Sequence, residues 1–397
     1  MKNKKISQAV ILAGGLGSRL KEITKKTPKP LIKINNFAFL DYLIFNISRY
    51  GFDKILILTG YKHNLFLKRY HNKTLYFNSR VTCFKEKKPL GTGGALLHAK
   101  KKLQSKFLLC NGDTYFDFNI NDLEKSFNKN SLLISALTTI KSNTSRYSKV
   151  KLKKNYIKTY SDQSQNNSLI NTGYCLVNKK ILKNVKTKIC SLEKDIYPAL
   201  IKTKKIQGKV YNKSFNKFID IGLPKDLSKA EKFLKRVINK KAVFLDRDGV
   251  INKNLGYVHK KNNFIWRKGI FKFIKELNDK NYYVFVVTNQ SGIGRGYYTE
   301  KDLEKLNYWI NNTLYKKGAH IDEFFHAPYF KHSLIKKFRK FLHLRKPNTG
   351  MIDLAKKKWK INLKNSILIG DQISDKQTAI NAKIKYKIIN FSDKISL

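Results

Sequence analysis

Short apolar runs rich in β-branched and aromatic residues alternate with segments of helical periodicity along most of the chain. The clearest runs are AVILA at 9–13, KILIL at 54–58, KFLLC at 106–110, AVFL at 242–245, YYVFVV at 282–287 and SILI at 366–369. Such runs are typical of buried strands, and their alternation with helices predicts parallel sheets covered by helices on both faces. Polar or glycine residues follow each run, at the strand end where open α/β sheets bind their ligands.

A charged segment near residue 240 separates two sets of such runs. The segment PKDLSKAEKFLKRVINKK begins at Pro224 and predicts an amphipathic helix that ends before a new strand at Ala242. The length of 397 residues exceeds the size at which a single hydrophobic core usually stops growing, roughly 250–300 residues. Because the two halves end their strands in different motifs, we predict two unlike α/β domains at 1–238 and 241–397.

The composition favours a globular protein of a reducing compartment. The hydrophobic fraction is 42%, which is sufficient for packed cores. The cysteines lack CxxC spacing and three of them fall in predicted strands, so we expect buried thiols at Cys83, Cys110, Cys175 and Cys190. Two glycines interrupt the apolar run behind the basic N-terminus, and no run approaches the ~20 residues that span a bilayer. We therefore expect a soluble cytoplasmic protein that does not bind membranes.

The formal net charge of +55 raises the alternative of a nucleic-acid-binding protein on a fold that has lost its catalytic activity. The lysines are spread along the whole chain, however, and no arginine-rich block or aromatic stacking signature accompanies them. This distribution favours a solvated coat of lysines over a specific nucleic-acid surface. The positive field would still attract phosphorylated substrates.

The segment LAGGLGSRLKEITKKTPKPL at 12–31 contains a glycine turn with an unusual continuation. Gly15 and Gly17 supply two glycines of a dinucleotide fingerprint, but Leu20 stands where the third is needed, and no GK[ST] follows. A glycine turn still lets backbone N–H groups approach phosphates. Arg19 and Lys29 follow it, and two prolines stiffen the backbone around Lys29. Two cations beside a phosphate cradle suit the charge that develops on a phosphoryl group.

This segment resembles the signature of the sugar-phosphate nucleotidyltransferases, which join a nucleoside triphosphate to a sugar 1-phosphate and release pyrophosphate. The resemblance covers almost all of residues 6–235 and continues through EKKPLGTGGAL at 86–96, LLCNGD at 108–113, INTGYCLV at 170–177, SLEKD at 191–195 and FIDIGLPKDL at 218–227. PLGTGGAL, NGDTYFD and FIDIGLPKDL are most similar to the guanylyltransferases that make GDP-D-glycero-α-D-manno-heptose. This similarity implies GTP as the nucleotide substrate.

By position, the resemblance implies a role for each motif residue. Arg19 and Lys29 would bind the triphosphate and stabilise the transition state, and Asp113 and Asp220 would hold Mg²⁺. The residues implied to line the nucleotide and sugar pockets are Gly14, Gly15, Gly17, Glu86, Gly91, Gly93, Asn171, Gly173 and Glu193.

One position departs from the pattern of these nucleotidyltransferases. The family usually has Glu-Lys ahead of the NxG strand, whereas this chain has Asp162 and Gln163. Without this lysine, we expect the sugar phosphate to bind more weakly. Lys149 and Lys151 are the nearby candidates to replace its charge.

The stretch FLDRDGV raises a second question, because it places Asp246 and Asp248 two residues apart at a strand end. In an extended segment the two carboxylates share a face, and a loop there can turn both toward one phosphate. One of them can attack phosphorus while the other handles the proton of the leaving group. Further strand-end or loop candidates follow at Thr288, Lys346, Asp371 and Asp375.

This ordered set resembles the haloacid dehalogenase superfamily of phosphatases and covers residues 242–390. The resemblance implies that Asp246 forms an aspartyl phosphate and that Asp248 is the general acid/base. The residues implied to bind the transferring phosphoryl group are Thr288, Asn289, Arg345 and Lys346. Asp246, Asp248 and Asp371 would hold Mg²⁺, and Asp375 would orient the loop.

NLGYV at 254–258 and TNQSGIGRGYYT at 288–299 are similar to the heptose bisphosphate phosphatases, whose relatives include histidinol phosphatases. Those phosphatases often carry a zinc loop of cysteines and histidines. The matching stretches here read APYF at 327–330 and LHLRKP at 342–347, and no cysteine follows Cys190. We therefore expect Mg²⁺ in both domains and no structural zinc.

Taken together, the motifs predict an α/β protein of two doubly wound domains. The first is a Rossmann-like nucleotidyltransferase with a mixed sheet, and the second is haloacid dehalogenase-like with a minimal cap. The implied phosphatase would remove the 7-phosphate of D-glycero-D-manno-heptose 1,7-bisphosphate, and the implied guanylyltransferase would use the resulting 1-phosphate, as in the synthesis of lipopolysaccharide or another cell-surface polysaccharide. The alternative is a nucleotidyltransferase for another sugar fused to a phosphatase of different specificity, such as one acting on histidinol phosphate.

Overall fold

The computed structural model describes residues 6–20, 22–140, 147–161, 169–183, 185 and 187–397. The chain divides into two compact units, Met1–Lys235 and Arg236–Leu397. The division falls within the helix Pro224–Ile238, in the segment where the sequence predicts an amphipathic helix.

The first unit contains strands and helices in alternation. Its described strands are β1 Gln8–Ala13, β2 Lys33–Ile34, β3 Phe37–Ala38, β4 Lys54–Thr59, β5 Lys73–Thr74, β6 Arg80–Lys85, β7 Lys106–Asn111, β8 Thr114–Asp117, β9 Leu133–Thr139, β10 Lys149–Lys153, β11 Tyr156–Ser161, β12 Leu169–Asn178, β13 Ile206–Val210 and β14 Lys217–Asp220. Its described α-helices are α1 Glu22–Lys26, α2 Phe39–Arg49, α3 His63–Tyr70, α4 Gly91–His98, α5 Ile120–Ser126, α6 Tyr197–Lys202 and α7 Pro224–Ile238.

The large sheet of the first unit is mixed, in the order β10-β11-β13-β9-β12-β7-β1-β4-β6-β5. The four strands β7, β1, β4 and β6 are parallel to one another, so their C-terminal ends meet along one edge. Strand β12 lies antiparallel between β9 and β7. The strands predicted at 9–13, 54–58 and 106–110 are confirmed, and so is the mixed α/β character of this unit.

A small antiparallel ladder completes the binding edge of this sheet. Strand β14 pairs with β8, and the register places Asp220 opposite Thr114. Because Thr114 directly follows Asp113, the ladder brings Asp113 and Asp220 together although they are 107 residues apart in the chain. The core beneath them includes the fully buried side chains of Val10, Leu137 and Val177. The four cysteines are free and buried, as predicted.

The second unit is built on a parallel sheet. Its strands are β15 Ala242–Leu245, β16 Tyr283–Asn289, β17 Glu323–Ala327, β18 Ile367–Gly370 and β19 Lys385–Ile388. Its α-helices are α8 Ile270–Asp279, α9 Ser291–Gly294, α10 Glu300–Lys316, α11 Gly350–Lys358 and α12 Ile373–Asn381. The strand order is β17-β16-β15-β18-β19, and every pairing is parallel. The predicted strands at 242–245, 282–287 and 366–369 are therefore confirmed.

This strand order has a topological switch point at β15. The chain adds β16 and β17 on one side of β15 and then crosses to add β18 and β19 on the other side. Crossovers between parallel strands place helices on both faces of such a sheet, and ligands bind in the crevice where the order reverses. Asp246 follows β15 directly at that crevice.

Within the described ranges, no helix combines the length and apolar character needed to cross a membrane.

Candidate active sites

A cavity of about 440 Å³ lies at the C-terminal ends of β1 and β7 in the first unit. Among the residues predicted to form the nucleotide site, those that line this cavity are Gly14, Gly15, Gly17, Arg19, Lys29, Glu86, Gly91 and Asp113. The glycine turn after β1, the proline-flanked lysine and the aspartate after β7 therefore face one space. The cavity is also lined by Thr92, which lies between two of the predicted glycines, and by Asn111 and Gly222, which lie in the quoted motifs without a predicted role.

Lys29 is the charged centre of this cavity. It begins a 3₁₀ turn, Lys29–Leu31, whose proline neighbours restrict the backbone. Its Nζ donates a hydrogen bond of 2.5 Å to Asp113 Oδ2 and lies 3.8 Å from Asp220 Oδ1. The amide of Gly222 donates to the same Asp220 oxygen at 2.6 Å, which fixes the carboxylate. Two carboxylates thus converge on one positive charge at the wall of the cavity.

Glu193 is connected to the cavity through Thr92. Its Oε2 accepts hydrogen bonds from Thr92 Oγ1 at 3.0 Å and from Ser191 Oγ at 2.9 Å. Gly93 is buried in α4 and donates its backbone N–H to the carbonyl of Cys190 at 2.9 Å. Neither Glu193 nor Gly93 is among the residues that line the cavity. They hold in place the segment of Gly91 and Thr92, which lines the cavity.

Asn171 and Gly173 lie on β12, outside the residues that line the cavity. Asn171 Oδ1 accepts a hydrogen bond of 3.1 Å from the backbone N–H of Gly173. Asp162 and Gln163 lie outside the described residues. On β10, Lys151 is exposed, whereas Lys149 is buried and its Nζ has no hydrogen-bond partner among the described residues.

A second cavity, of about 220 Å³, lies at the switch point of the second unit. The predicted residues that line it are Asp246, Asp248, Thr288, Asn289, Lys346 and Asp371. It is also lined by Tyr257, Gln290 and Tyr298, which the sequence analysis quoted within motifs but did not assign. The ends of β15, β16 and β18 and the loop of Lys346 therefore meet at one space.

Lys346 forms the charged centre of the second cavity. Its Nζ lies 2.9 Å from Asp246 Oδ2 and donates a hydrogen bond of 2.5 Å to Asp375 Oδ1. Burial raises the pKa of Asp246, and Lys346 opposes that shift. Burial alone would lower the pKa of Lys346, but the two carboxylates outweigh it and the pKa is raised. The lysine therefore stays charged and holds both carboxylates in place.

Asp371 lies beside this pair, against the glycine of the DRDG motif. Gly249 has a φ of +86°, and a Cβ there would overlap Asp371 Oδ2, so the position requires glycine. Burial raises the pKa of Asp371. Its Oδ1 is buried and has no hydrogen-bond partner in the part of the chain that the structure describes. Asp371 also forms a cluster with Asp246 and Asp375, in which one carboxylate oxygen of each lies within 4.8 Å of the others. Among the described residues, this is the cluster of acidic, His or Cys side chains that could hold a metal ion.

Asp248 lies outside that group and is held by three other side chains. The fully buried Arg247 donates from Nη2 to both carboxylate oxygens of Asp248, at 3.0 and 2.8 Å. Asn252 Nδ2 and Gln290 Nε2 donate to the same carboxylate at 2.9 and 3.0 Å. These four bonds fix the orientation of Asp248 at the cavity. Sequence separation hides the bond from Gln290, which comes 42 residues after Asp248.

The predicted phosphate-binding residues differ in their surroundings. Asn289 Nδ2 donates to the Lys346 carbonyl at 3.2 Å, and the Lys346 backbone N–H donates to Asn289 Oδ1 at 3.0 Å. Thr288 Oγ1 accepts a hydrogen bond of 2.9 Å from Gln290 Nε2. Arg345 is half-buried, donates to the Tyr329 carbonyl at 3.3 Å and is not among the residues that line the cavity.

Comparisons with known proteins also divide the chain into two parts, close to the boundary between the two units. Residues 8–237 match the family model described as nucleotidyl transferase, and residues 241–394 match the one described as polynucleotide kinase 3 phosphatase. The crystal structure of HddC from Yersinia pseudotuberculosis is 30% identical in sequence, with a TM-score of 0.51, and covers 58% of this chain and 100% of its own.

Two relatives of the second unit are both named as heptose bisphosphate 7-phosphatases. The D-glycero-alpha-D-manno-heptose-1,7-bisphosphate 7-phosphatase of Photorhabdus laumondii is 43% identical over 135 residues, which are 34% of this chain and 74% of that protein. The D-glycero-beta-D-manno-heptose-1,7-bisphosphate 7-phosphatase of Escherichia coli K12 is 36% identical over 148 residues, 37% of this chain and 78% of that protein. Both anomeric specificities therefore occur among similar sequences.

Proposed function

The chain belongs to the nucleotidyl transferase family through residues 8–237, and from this premise we propose that it activates a heptose in two consecutive reactions. The second unit removes the 7-phosphate from D-glycero-D-manno-heptose 1,7-bisphosphate. The first unit then transfers GMP from GTP to the heptose 1-phosphate and releases pyrophosphate. The observation that carries the proposal is that one chain holds both a nucleotidyl transferase unit and a unit similar to heptose bisphosphate 7-phosphatases.

The order of the reactions follows from the chemistry of the sugar. Removal of the 7-phosphate leaves the 1-phosphate, which is the group that attacks a nucleoside triphosphate. The motifs PLGTGGAL, NGDTYFD and FIDIGLPKDL support GTP and the α-anomer, because they resemble guanylyltransferases that make the GDP-α-heptose.

In the first unit, a 1-phosphate oxygen attacks the α-phosphorus of GTP while the bond to pyrophosphate breaks. Arg19 and Lys29 line the cavity and would offset the charge that develops on the phosphates. The carboxylates of Asp113 and Asp220 fit a magnesium ion, because both already lie within 4 Å of one cationic group, Lys29 Nζ. Bound Mg²⁺ would bring the α-phosphate and the sugar phosphate together and neutralise their charge.

In the second unit, we assign a haloacid dehalogenase fold with a minimal cap. The five parallel strands support this assignment, as does the segment 246–269 after β15, whose helical content is a single 3₁₀ turn. Asp246 attacks the 7-phosphate and forms an aspartyl phosphate while Asp248 donates a proton to the departing heptose oxygen. Asp248 then removes a proton from the water that hydrolyses the aspartyl phosphate. Thr288 and Lys346 hold the phosphoryl oxygens at the cavity wall.

The acidic group of the second unit also fits magnesium. Asp246, Asp371 and Asp375 would supply oxygen ligands, and no described residue forms a hydrogen bond with the buried Oδ1 of Asp371. Asp246 and Asp371 line the cavity and Asp375 does not, which favours Asp246 and Asp371 as the protein ligands. A bound Mg²⁺ would reduce the repulsion between the Asp246 carboxylate and the incoming phosphate.

The proposal is tested by the substrate preference of each unit in the full chain. Pyrophosphate release is measured for GTP, ATP, UTP and CTP against heptose, mannose and glucose 1-phosphates, and the highest kcat/KM is expected for GTP with heptose 1-phosphate. Phosphate release is measured from both anomers of the heptose bisphosphate and from histidinol phosphate. A preference for histidinol phosphate, or for a hexose 1-phosphate, would contradict the proposal.

A further inference from the structure

One loop of the second unit, residues 331–344, exposes apolar side chains in two pairs. The loop follows β17 and contains the 3₁₀ turns Lys336–Arg339 and Leu342–Leu344. Single exposed apolar residues are ordinary on protein surfaces, but a group of them in one place indicates a contact surface. The exposed apolar residues of the 331–344 loop are Leu334 at 75%, Ile335 at 37%, Phe341 at 56% and Leu342 at 39%.

Two buried residues hold the 331–344 loop in place. Ser333 is fully buried, and its Oγ donates a hydrogen bond of 2.7 Å to the carbonyl of Gly294. Phe338 is 5% exposed and packs with Leu303 in a buried cluster. Between these anchors, Arg339 Nε donates to the Ser333 carbonyl at 2.7 Å. The exposed apolar pairs on either side of the anchors are therefore presented to solvent by a fixed backbone.

The backbone of Phe341 is strained, and burial of its side chain does not offset the strain. Its φ is +58°, in the left-handed region that bulky residues rarely adopt. The ring contacts that of Tyr329 at a centroid distance of 5.7 Å, yet more than half of the side chain stays in solvent. Strained backbone of this kind is concentrated at functional positions. The strain at Phe341 keeps an aromatic side chain on the surface of the loop.

The 331–344 loop is also strongly basic. Residues 324–352 contain no Asp or Glu. Among the described residues, no carboxylate forms an ion pair with a cation of the loop. Lysines beside exposed Phe, Leu and Ile are typical of segments that lie in the interface of an anionic bilayer, where apolar groups enter the headgroup region and cations contact lipid phosphates. The exposed cations of the loop are Lys331, Lys336, Lys337, Arg339 and Lys340.

Two other partners fit the loop less well. A nucleic acid would pair with the cations, but its phosphates and base edges offer little apolar surface to Leu334, Ile335 and Leu342. A second copy of the chain could cover the apolar pairs, but each copy has a formal net charge of +55 and would repel the cations of the loop. An anionic bilayer satisfies both the apolar and the charged side chains.

We propose that the 331–344 loop docks on the surface of an anionic lipid bilayer. Its two apolar pairs enter the headgroup region, and its cations contact the lipid phosphates. This inference goes beyond the proposed function and does not depend on it. The expected lack of membrane binding rested on the lack of a run that spans a bilayer, and a loop that lies in the interface needs no such run.

The test is sedimentation of the full chain with vesicles of phosphatidylcholine, either alone or with about one-third phosphatidylglycerol, in about 0.1 M salt. The charge variant is K336Q/K337Q/K340Q, and its control K225Q/K229Q/K232Q removes the same charge from the exposed face of α7.

The apolar variant is L334S/F341S. Its control is I189S/Y308S, which changes two other side chains that are 59% and 67% exposed. Tryptophan fluorescence verifies that each variant is folded, since all three tryptophans lie in the unit that carries the loop.

The unmodified chain should bind the anionic vesicles roughly 100-fold more tightly than the neutral ones. K336Q/K337Q/K340Q should lose roughly 100-fold in affinity for anionic vesicles, because each cation near such a surface contributes about fivefold. L334S/F341S should lose roughly 10-fold or more, because less apolar area leaves water. Both control variants should stay within about threefold of the unmodified chain.

Three outcomes would overturn the inference: no preference for anionic vesicles, an equal loss in K225Q/K229Q/K232Q, or unchanged binding by L334S/F341S. An equal loss in that control would mean that the whole lysine coat adsorbs to the vesicles. Loss of duplex DNA retention in the loop variants without loss of vesicle binding would assign the loop to nucleic acid. Self-association that L334S/F341S abolishes, without loss of vesicle binding, would assign it to a second copy.

A measurement on the unmodified chain needs no variant. Trypsin cleaves after lysine, so cleavage after Lys336, Lys337 and Lys340 reports access to the loop. Anionic vesicles should slow cleavage at these sites relative to cleavage after Lys225 and Lys229, and neutral vesicles should not. Equal rates at both groups of sites in the presence of bound anionic vesicles would also overturn the inference.

Discussion

The two candidate sites use the same pairing of one lysine with two carboxylates, but at different depths. In the first unit the Lys29 side chain is 13% exposed and faces Asp113 and Asp220 across a cavity of about 440 Å³. In the second unit the Lys346 side chain is 2% exposed between Asp246 and Asp375, beside a cavity of about 220 Å³. The larger cavity of the first unit suits a nucleotide and a sugar phosphate. The smaller cavity beside Lys346 needs to admit only a phosphoryl group and its sugar.

The two lysines differ in how far they are buried, and we expect this difference to change what each contributes to stability. Ion pairs that water reaches add less to stability, because water screens them, and Asp113 beside Lys29 is 31% exposed. A buried lysine between two carboxylates is different, since removal of one partner leaves uncompensated charge inside the protein. We therefore expect Lys29 to matter mainly for chemistry and Lys346 to matter for both chemistry and folding.

The largest expected effect comes from the nucleophile of the second unit. Asp246→Asn should lower phosphate release from heptose bisphosphate by roughly 10³- to 10⁶-fold, because an amide cannot form the aspartyl phosphate. Pyrophosphate release from GTP and heptose 1-phosphate, measured on the same preparation, should stay within about twofold. Loss of both activities in a folded variant would contradict the independence of the two sites.

The converse change is Lys29→Met in the first unit. It should reduce pyrophosphate release by roughly 10²- to 10³-fold, because it removes a cation placed for the charge of the transition state. Asp113→Ala should likewise stop nucleotidyl transfer. Phosphate release from the bisphosphate is the control. A comparable fall in that activity would show that the two sites are not independent.

Lys346→Met tests the effect of depth on stability. It should lower the free energy of unfolding of the second unit by about 3–5 kcal/mol, since Asp246 and Asp375 lose their shared cation. All three tryptophans of the chain, Trp266, Trp309 and Trp359, lie in this unit, so their fluorescence during urea unfolding reports it. The four buried cysteines all lie in the first unit, so their reaction with a thiol reagent during urea unfolding reports that unit. Lys29→Met should shift that transition much less than Lys346→Met shifts the tryptophan transition, and an equal shift would refute the distinction.

The smallest expected effect concerns the support of Asp371. Gly249→Ala should lower phosphate release by roughly 10- to 100-fold, because the added Cβ displaces the Asp371 carboxylate. Gly269 has a similar φ of +82° but no atom within 4 Å of its added Cβ, so Gly269→Ala controls for backbone strain. Equal loss of activity in both variants would mean that strain, and not Asp371, is responsible.

Local pattern was sufficient to predict the strand ends that carry the sites. The apolar runs before Gly14, Asp113, Asp246 and Asp371 form β1, β7, β15 and β18, and the residues after them line the two cavities. Parallel strands align their C-terminal ends, so alternation of strands and helices implies this convergence. The motif residues are close together for that reason.

Contacts between distant segments could not be predicted in the same way. The bond from Gln290 to Asp248 and the ion pair of Lys346 with Asp375 depend on how separate loops meet. Periodicity carries no signal for them, nor for the antiparallel insertion of β12 between β9 and β7. The hydrogen bonds by which Glu193 and Cys190 hold α4 in place likewise join distant segments, and no local pattern marks them.

The most direct test of the account supplies the full chain with D-glycero-α-D-manno-heptose 1,7-bisphosphate, GTP and Mg²⁺. It should yield GDP-heptose, phosphate and pyrophosphate in equal amounts, as measured by chromatography of the products. Asp246→Asn should make no GDP-heptose from the bisphosphate but should make it from heptose 1-phosphate. A chain that dephosphorylates the bisphosphate yet transfers no nucleotide to the resulting 1-phosphate would contradict the account.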